Sequence, residues 1–179
     1  MFLPASQLAI IAKTGDHQSF TNYCNKMFQR FPIANSTTGE RVAKGALMMD
    51  SNPKITKDAL RYTLKSNSLR EGQNFYHWSC FSVGLAYFRN GDLKNAEFKC
   101  DESIEHTPLT HPWLPGLNNA LLSMIYYKNG KTWIVIGTRF QHSLKKTFPK
   151  TKTTNSMMEN HHEKLKMIIN NIWDSNSYY

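Results

Sequence analysis

Apolar positions recur every three or four residues along most of this chain, and very little of it alternates with period two. Phe20, Cys24, Met27, Phe28 and Phe31 form one such stripe, Ile55, Ala59, Tyr62 and Thr63 a second, and Ala96, Cys100 and Ile104 a third. That spacing puts the apolar groups on one side of a 3.6-residue turn and predicts amphipathic helices. Gly15, Pro32, Gly39, Pro53, Gly72, Gly91, Pro108, Gly130 and Pro149 interrupt the stripes at intervals of helical length. Trp133-Ile134-Val135-Ile136 reads locally like a strand, but Trp133, Ile136, Phe140 and Leu144 share a helical stripe. The pattern therefore predicts an all-α chain with helices near 4–13, 17–31, 39–50, 55–67, 75–89, 93–106, 116–129, 132–147 and 156–173. Asp16 and Asp92 follow turn glycines where an N-cap belongs, and Asn90 and Asn129 precede glycines where a helix should close.

Paired in order, these helices give hairpins over 4–31, 39–67, 75–106 and 116–147, in an array covering 1–150. A linker and a C-terminal helix fill 151–179. Leu165, Ile168, Ile172 and Trp173 give that last helix an apolar side, which suits either an end cap or a homodimer contact.

The array repeats in sequence as well as in pattern. Tyr87-Phe88-Arg89-Asn90-Gly91 returns as Tyr126-Tyr127-Lys128-Asn129-Gly130, and Lys13-Thr14-Gly15-Asp16 echoes Arg89-Asn90-Gly91-Asp92. Gly84, Tyr87, Ala96 and Pro108 stand at the separations of the tetratricopeptide signature, and residues 77–110 resemble that family. Cys80 and Cys100 depart from it where it carries Trp and Phe. The resemblance implies a right-handed superhelical array in which Gly84 and Ala96 permit close helix approach, Tyr87 fills the space between pairs and Pro108 stops the second helix. Gly91 and Gly130 close the turns. A looser likeness, from Tyr23-Cys24 through Glu40-Arg41-Val42-Ala43 to Gly84-Leu85-Ala86-Tyr87, is to the helical-repeat tails following serine/threonine kinase domains in some planctomycete bacteria. The kinase motifs themselves are missing from this sequence.

Function follows from which apolar groups the array leaves over. On helix 75–89, Cys80, Val83, Gly84 and Tyr87 gather on one side and Trp78, Phe81, Leu85 and Phe88 on another, so two partners are needed. One side meets helix 93–106. The other either completes the core or lines a concave groove, a layout that Leu117, Ala120, Met124 and Tyr127 repeat in the next unit. With Arg89 and Lys128 at its edge, such a groove suits an apolar helix or extended peptide with acidic flanks. The expectation is a non-catalytic protein-interaction module or scaffold with Trp78, Phe81, Leu85, Phe88, Arg89, Met124, Tyr127 and Lys128 as its partner-binding residues.

Charge adds one alternative. Lys and Arg number 22 against 13 Asp and Glu, a net charge of +9, and no acidic residue stands between Glu105 and Glu159. The cationic run from Lys128 to Lys152 makes a nucleic-acid-binding accessory protein the second reading, although no RNA-binding or zinc-finger signature accompanies it. A detached regulatory tail of a kinase-like system is the third. No enzyme is expected, because the sequence holds no nucleophile elbow, phosphate loop or His-Glu-x-x-His motif. No cofactor or metal is expected either, since His161-His162-Glu163 directs adjacent histidines to different helix sides. Cys24, Cys80 and Cys100 form no metal or disulfide pattern and are read as buried thiols in a reducing compartment, hence the expectation of a cytoplasmic protein with no membrane segment.

Overall fold

The computed structural model describes residues 5–31, 36–49, 52–111 and 113–130. Seven helices run through them: α1 (Ala5–Thr14), α2 (His17–Arg30), α3 (Ser36–Ala46), α4 (Pro53–Arg70), α5 (Tyr76–Arg89), α6 (Leu93–Glu105) and α7 (Leu114–Lys128). No strand occurs among the described residues, so the chain is all-α as far as it is described. The chain divides into two compact units, Met1–Ile136 and Gly137–Tyr179. The predicted helices at 132–147 and 156–173, the boundary at 150, the capping or dimer role and most of the cationic run all lie outside the described residues. None of the described helices is long and apolar enough to cross a membrane.

Local chemistry sets the helix ends. Asp16 accepts a hydrogen bond from the Ser19 amide at 2.9 Å, and Asp92 accepts one from the Asn95 amide at 3.1 Å, so both are N-caps. At the end of α5 the Gly91 amide donates to Phe88 O and the Asp92 amide to Tyr87 O, the paired bonds of a Schellman turn. That turn requires a left-handed residue, and Gly91 supplies it at φ 81°. Asp92 thus ends one bond network and begins the next, which is why three residues suffice between α5 and α6. Gly39, read from sequence as a break, instead lies inside α3. Helix α4 begins at Pro53, where the ring occupies the first turn without removing a needed donor and Asn52 caps the Lys54 amide at 2.8 Å. Pro115 is accommodated the same way at the start of α7.

Each helix packs only on helices one or two places away in the chain. Consecutive helices pair throughout, and α1 with α3, α3 with α5, α5 with α7 and α2 with α4 join one pair to the next. Two apolar clusters hold this stack together. One gathers Leu8, Phe20, Cys24, Leu47, Ile55 and Ala59 from α1 to α4; the other joins Phe88, Ala96 and Cys100 to Leu121, Ile125 and Tyr126. Leu85 packs against both.

The seam between α5 and α6 is close at Gly84. A β-carbon on Gly84 would lie 3.1 Å from Cys100 Sγ and 3.3 Å from the Ala96 carbonyl oxygen, so glycine lets the two backbones meet. Polar side chains fasten the seams as well. The Tyr62 hydroxyl sits 2.9 Å from the carbonyls of Phe28 and Phe31, donating to one at a time and tying α4 to the end of α2. Asn90 donates from one amide nitrogen to Thr56 O and Ala86 O, joining the end of α5 to α4.

Candidate functional site

The predicted partner-binding residues separate into three environments. Phe88 is a correction: only 6 % exposed, it belongs to the core cluster with Ala96, Cys100 and Ile125. Its ring is buried because α7 closes over the end of α5, and the Lys128 ammonium lies 4.8 Å above its centroid. Trp78, Phe81 and Leu85 are half-buried, with Phe81 and Leu85 packed against that cluster. Met124 and Tyr127 are exposed, Tyr127 at 68 %. Arg89 is half-buried and its Nε donates to Leu47 O at 3.3 Å, which fastens α5 to the end of α3.

Among the structural positions of the repeat, Gly84 and Ala96 are buried at the α5–α6 seam and Tyr87 is half-buried against the second cluster. Gly91 and Gly130 both take positive φ. Pro108 lies exposed two residues beyond the C-cap His106.

Helix α7 shows why Met124 and Tyr127 stay outside. Leu114, Asn118, Leu121, Leu122, Ile125 and Tyr126 are buried, while Trp113, Leu117, Ala120, Met124 and Tyr127 are exposed at alternating steps of four and three. Those steps draw a second apolar stripe along the helix. Trp113 was not part of the predicted layout of Leu117, Ala120, Met124 and Tyr127, although it continues the same spacing. On α5 the Trp78 ring lies 6.3 Å from that of His111, and the Lys44 ammonium of α3 stands 5.3 Å above the Trp78 ring.

Under Trp78 lies a charged seam that the sequence did not disclose. Glu40 is 5 % exposed and receives Lys44 at 2.6 Å and Arg70 at 3.6 Å, with Ser82 Oγ 3.5 Å away. Two cations on one buried carboxylate offset its desolvation and fix the register of α3, α4 and α5; they are not by themselves a source of net stability.

At the α5 N-terminal end there is a concavity of about 490 Å³, lined by Glu71, Phe75, Tyr76, His77, Glu102 and His106, among others. Tyr76 donates to Glu102 Oε1 at 2.7 Å and Lys99 to Oε2 at 2.6 Å. Burial, with Glu102 beside it, raises the Tyr76 phenol, so that it remains a donor. Burial alone would raise the Glu102 carboxyl, but the bonds from Lys99 and Tyr76 outweigh it and hold the group below its ordinary value. Phe75 takes the left-handed conformation at φ 68°, uncommon for a bulky residue, and its ring stacks on His111 with centroids 5.9 Å apart. His77 Nε2 lies 2.8 Å from His111 Nδ1.

These groups do not assemble an activated nucleophile. Burial pushes the Cys24 thiol up to about 12 and the Cys80 thiol to about 11, and raises Cys100 as well, so all three are protonated at neutral pH. Among the described residues no three His, Cys, Asp or Glu side chains are placed to hold a metal ion; His161, His162 and Glu163 lie outside them. What the described residues offer is a set of seven helices packed on their near neighbours in sequence, with exposed apolar residues along one side of α7. Comparison with protein-family models, with curated proteins and with solved structures gave no match.

Proposed function

We propose that this chain is a tetratricopeptide-type interaction module that binds a partner protein across α5 and α7. The observation that carries the reading is the division of α7: one side is core, while the other keeps Leu117, Met124 and Tyr127 exposed next to the Lys128 cation. Apolar stripes of this kind are where soluble proteins dock partners. Supporting it are the neighbour-only packing of the helices and the close approach at Gly84 and Ala96, both of which the repeat resemblance implies. Half-buried Trp78, Phe81 and Leu85 extend the stripe onto α5, and Lys44, Arg89 and Lys128 set a positive edge. The partner segment is therefore apolar with acidic flanks, its apolar anchors supplying most of the affinity and the charges steering approach. Its setting is the cytoplasm, in keeping with three unpaired thiols.

Affinity capture from a native lysate tests this with wild type and a Met124→Asp, Tyr127→Asp double variant. Both positions are exposed, so the variant should melt within a degree or two of wild type. A partner retained by wild type and lost at least tenfold by the variant is the expected outcome; equal retention would refute the reading.

A further inference from the structure

We propose that His77 and His111 form a proton-operated latch, holding the connection between α6 and α7 against the start of α5 near neutral pH and releasing it on acidification. The inference is independent of the partner-binding reading, because its test reads the connection alone.

The two rings meet nitrogen to nitrogen at 2.8 Å, which is a hydrogen bond only when one nitrogen bears a proton and the other does not. Neutral rings satisfy this, and so does a pair carrying one extra proton. A second proton sets two N–H groups face to face, and no tautomer preserves the contact. His111 is the moving part. Its ring lies among those of Phe75, His77, Trp78 and Trp113, with centroids 5.0 to 6.3 Å away. Its backbone organises the connection, with its amide donating to Pro108 O at 3.0 Å and its carbonyl accepting from the Leu114 amide at 3.2 Å. His77 is the fixed part. It is 5 % exposed on α5, and its carbonyl accepts from Ser103 Oγ at 2.7 Å, itself bonded by Asn118 of α7.

The surrounding charges set the pH. Burial is the largest influence holding His77 below the ordinary histidine value, followed by His111; His106 and the Arg70 cation of α4 act in the same direction. Glu40 of α3 opposes them, with Lys44 already upon it. A histidine whose folded pKa is depressed contributes stability that is whole above the unfolded value of about 6.5 and is lost as pH falls through the folded one. The latch is therefore closed at pH 7.5 and is released as pH falls through the depressed folded value of His77.

The full-length chain tests this by NMR titration of the histidine rings, combined with hydrogen exchange at the Leu114 amide. The His77 ring should titrate below the ordinary histidine value. Leu114 exchange, corrected for its intrinsic pH dependence, should accelerate at least tenfold between pH 7.5 and pH 5.0, while the Asn90 amide at the far end of α5 changes less than twofold. His111→Phe keeps a ring in place but takes no proton, so its Leu114 exchange should lose the pH response. Titration of His77 at the ordinary value with unchanged Leu114 protection would overturn the proposal, as would an undiminished response in His111→Phe. Should that variant not fold, the wild-type titration decides alone.

Discussion

Replacing Phe88 with alanine should destabilise the protein by about 3–5 kcal/mol, the loss typical of removing a buried aromatic ring. The ring is 6 % exposed and is enclosed by α5, α6 and α7. Its removal opens a hole that Cys100, Leu122 and Ile125 cannot fill without moving their helices. It also takes away the surface over which the Lys128 ammonium lies. Urea denaturation followed by helical circular dichroism measures the effect, and the melting temperature should fall on the order of 10 °C. Tyr127→Ala, on the same turn of sequence repeat but 68 % exposed, should change stability by less than about 0.5 kcal/mol. Equal effects from the two variants would mean that α7 does not close over α5 as described.

Gly84 offers the other large effect, in a paired comparison. Alanine there adds one methyl group facing Cys100 Sγ, which can rotate, and the Ala96 carbonyl oxygen, which cannot. Against that crowding alanine brings a gain of about 1 kcal/mol in helix propensity, so Gly84→Ala should stay within about 1 kcal/mol of wild type. Valine adds two further carbons with nowhere to go and gains less propensity. Gly84→Val should therefore cost about 3 kcal/mol as α5 and α6 are pushed apart. Denaturant midpoints of the two variants check the ordering. Valine tolerated as well as alanine would show that the backbones do not meet at this point.

The elements most legible in the sequence were those fixed by local chemistry. Asp16, Asp92, Asn90 and Gly91 each occupy the cap position that their residue type implies, because capping bonds span only a few residues. Gly39 misled the reading of α3, since a helix can carry an internal glycine at modest cost. The site was less legible. On α5, Phe81, Leu85 and Phe88 all fall on one apolar arc, and which of them is buried depends on how α7 lies across it. The Glu40–Lys44–Arg70 seam joins side chains from two helices, and the His77–His111 contact spans two connections. Neither leaves a periodic signal, since the spacing of charged or histidine residues along a chain does not encode which helices later meet. Leu117, Ala120, Met124 and Tyr127 were legible as one stripe and Trp113 extends it by the same four-three spacing, but the burial of the opposite side was needed to show that this stripe faces outward.

The partner-binding face of α5 and α7 is tested most directly by site-specific photo-crosslinking in a native lysate, with benzoylphenylalanine placed at Tyr127 or, for comparison, at Phe98. Phe98 is 62 % exposed but belongs to α6. A discrete crosslinked partner from position 127 and none from position 98 is the predicted result. The same adducts from both positions, or adducts from position 98 alone, would contradict the account.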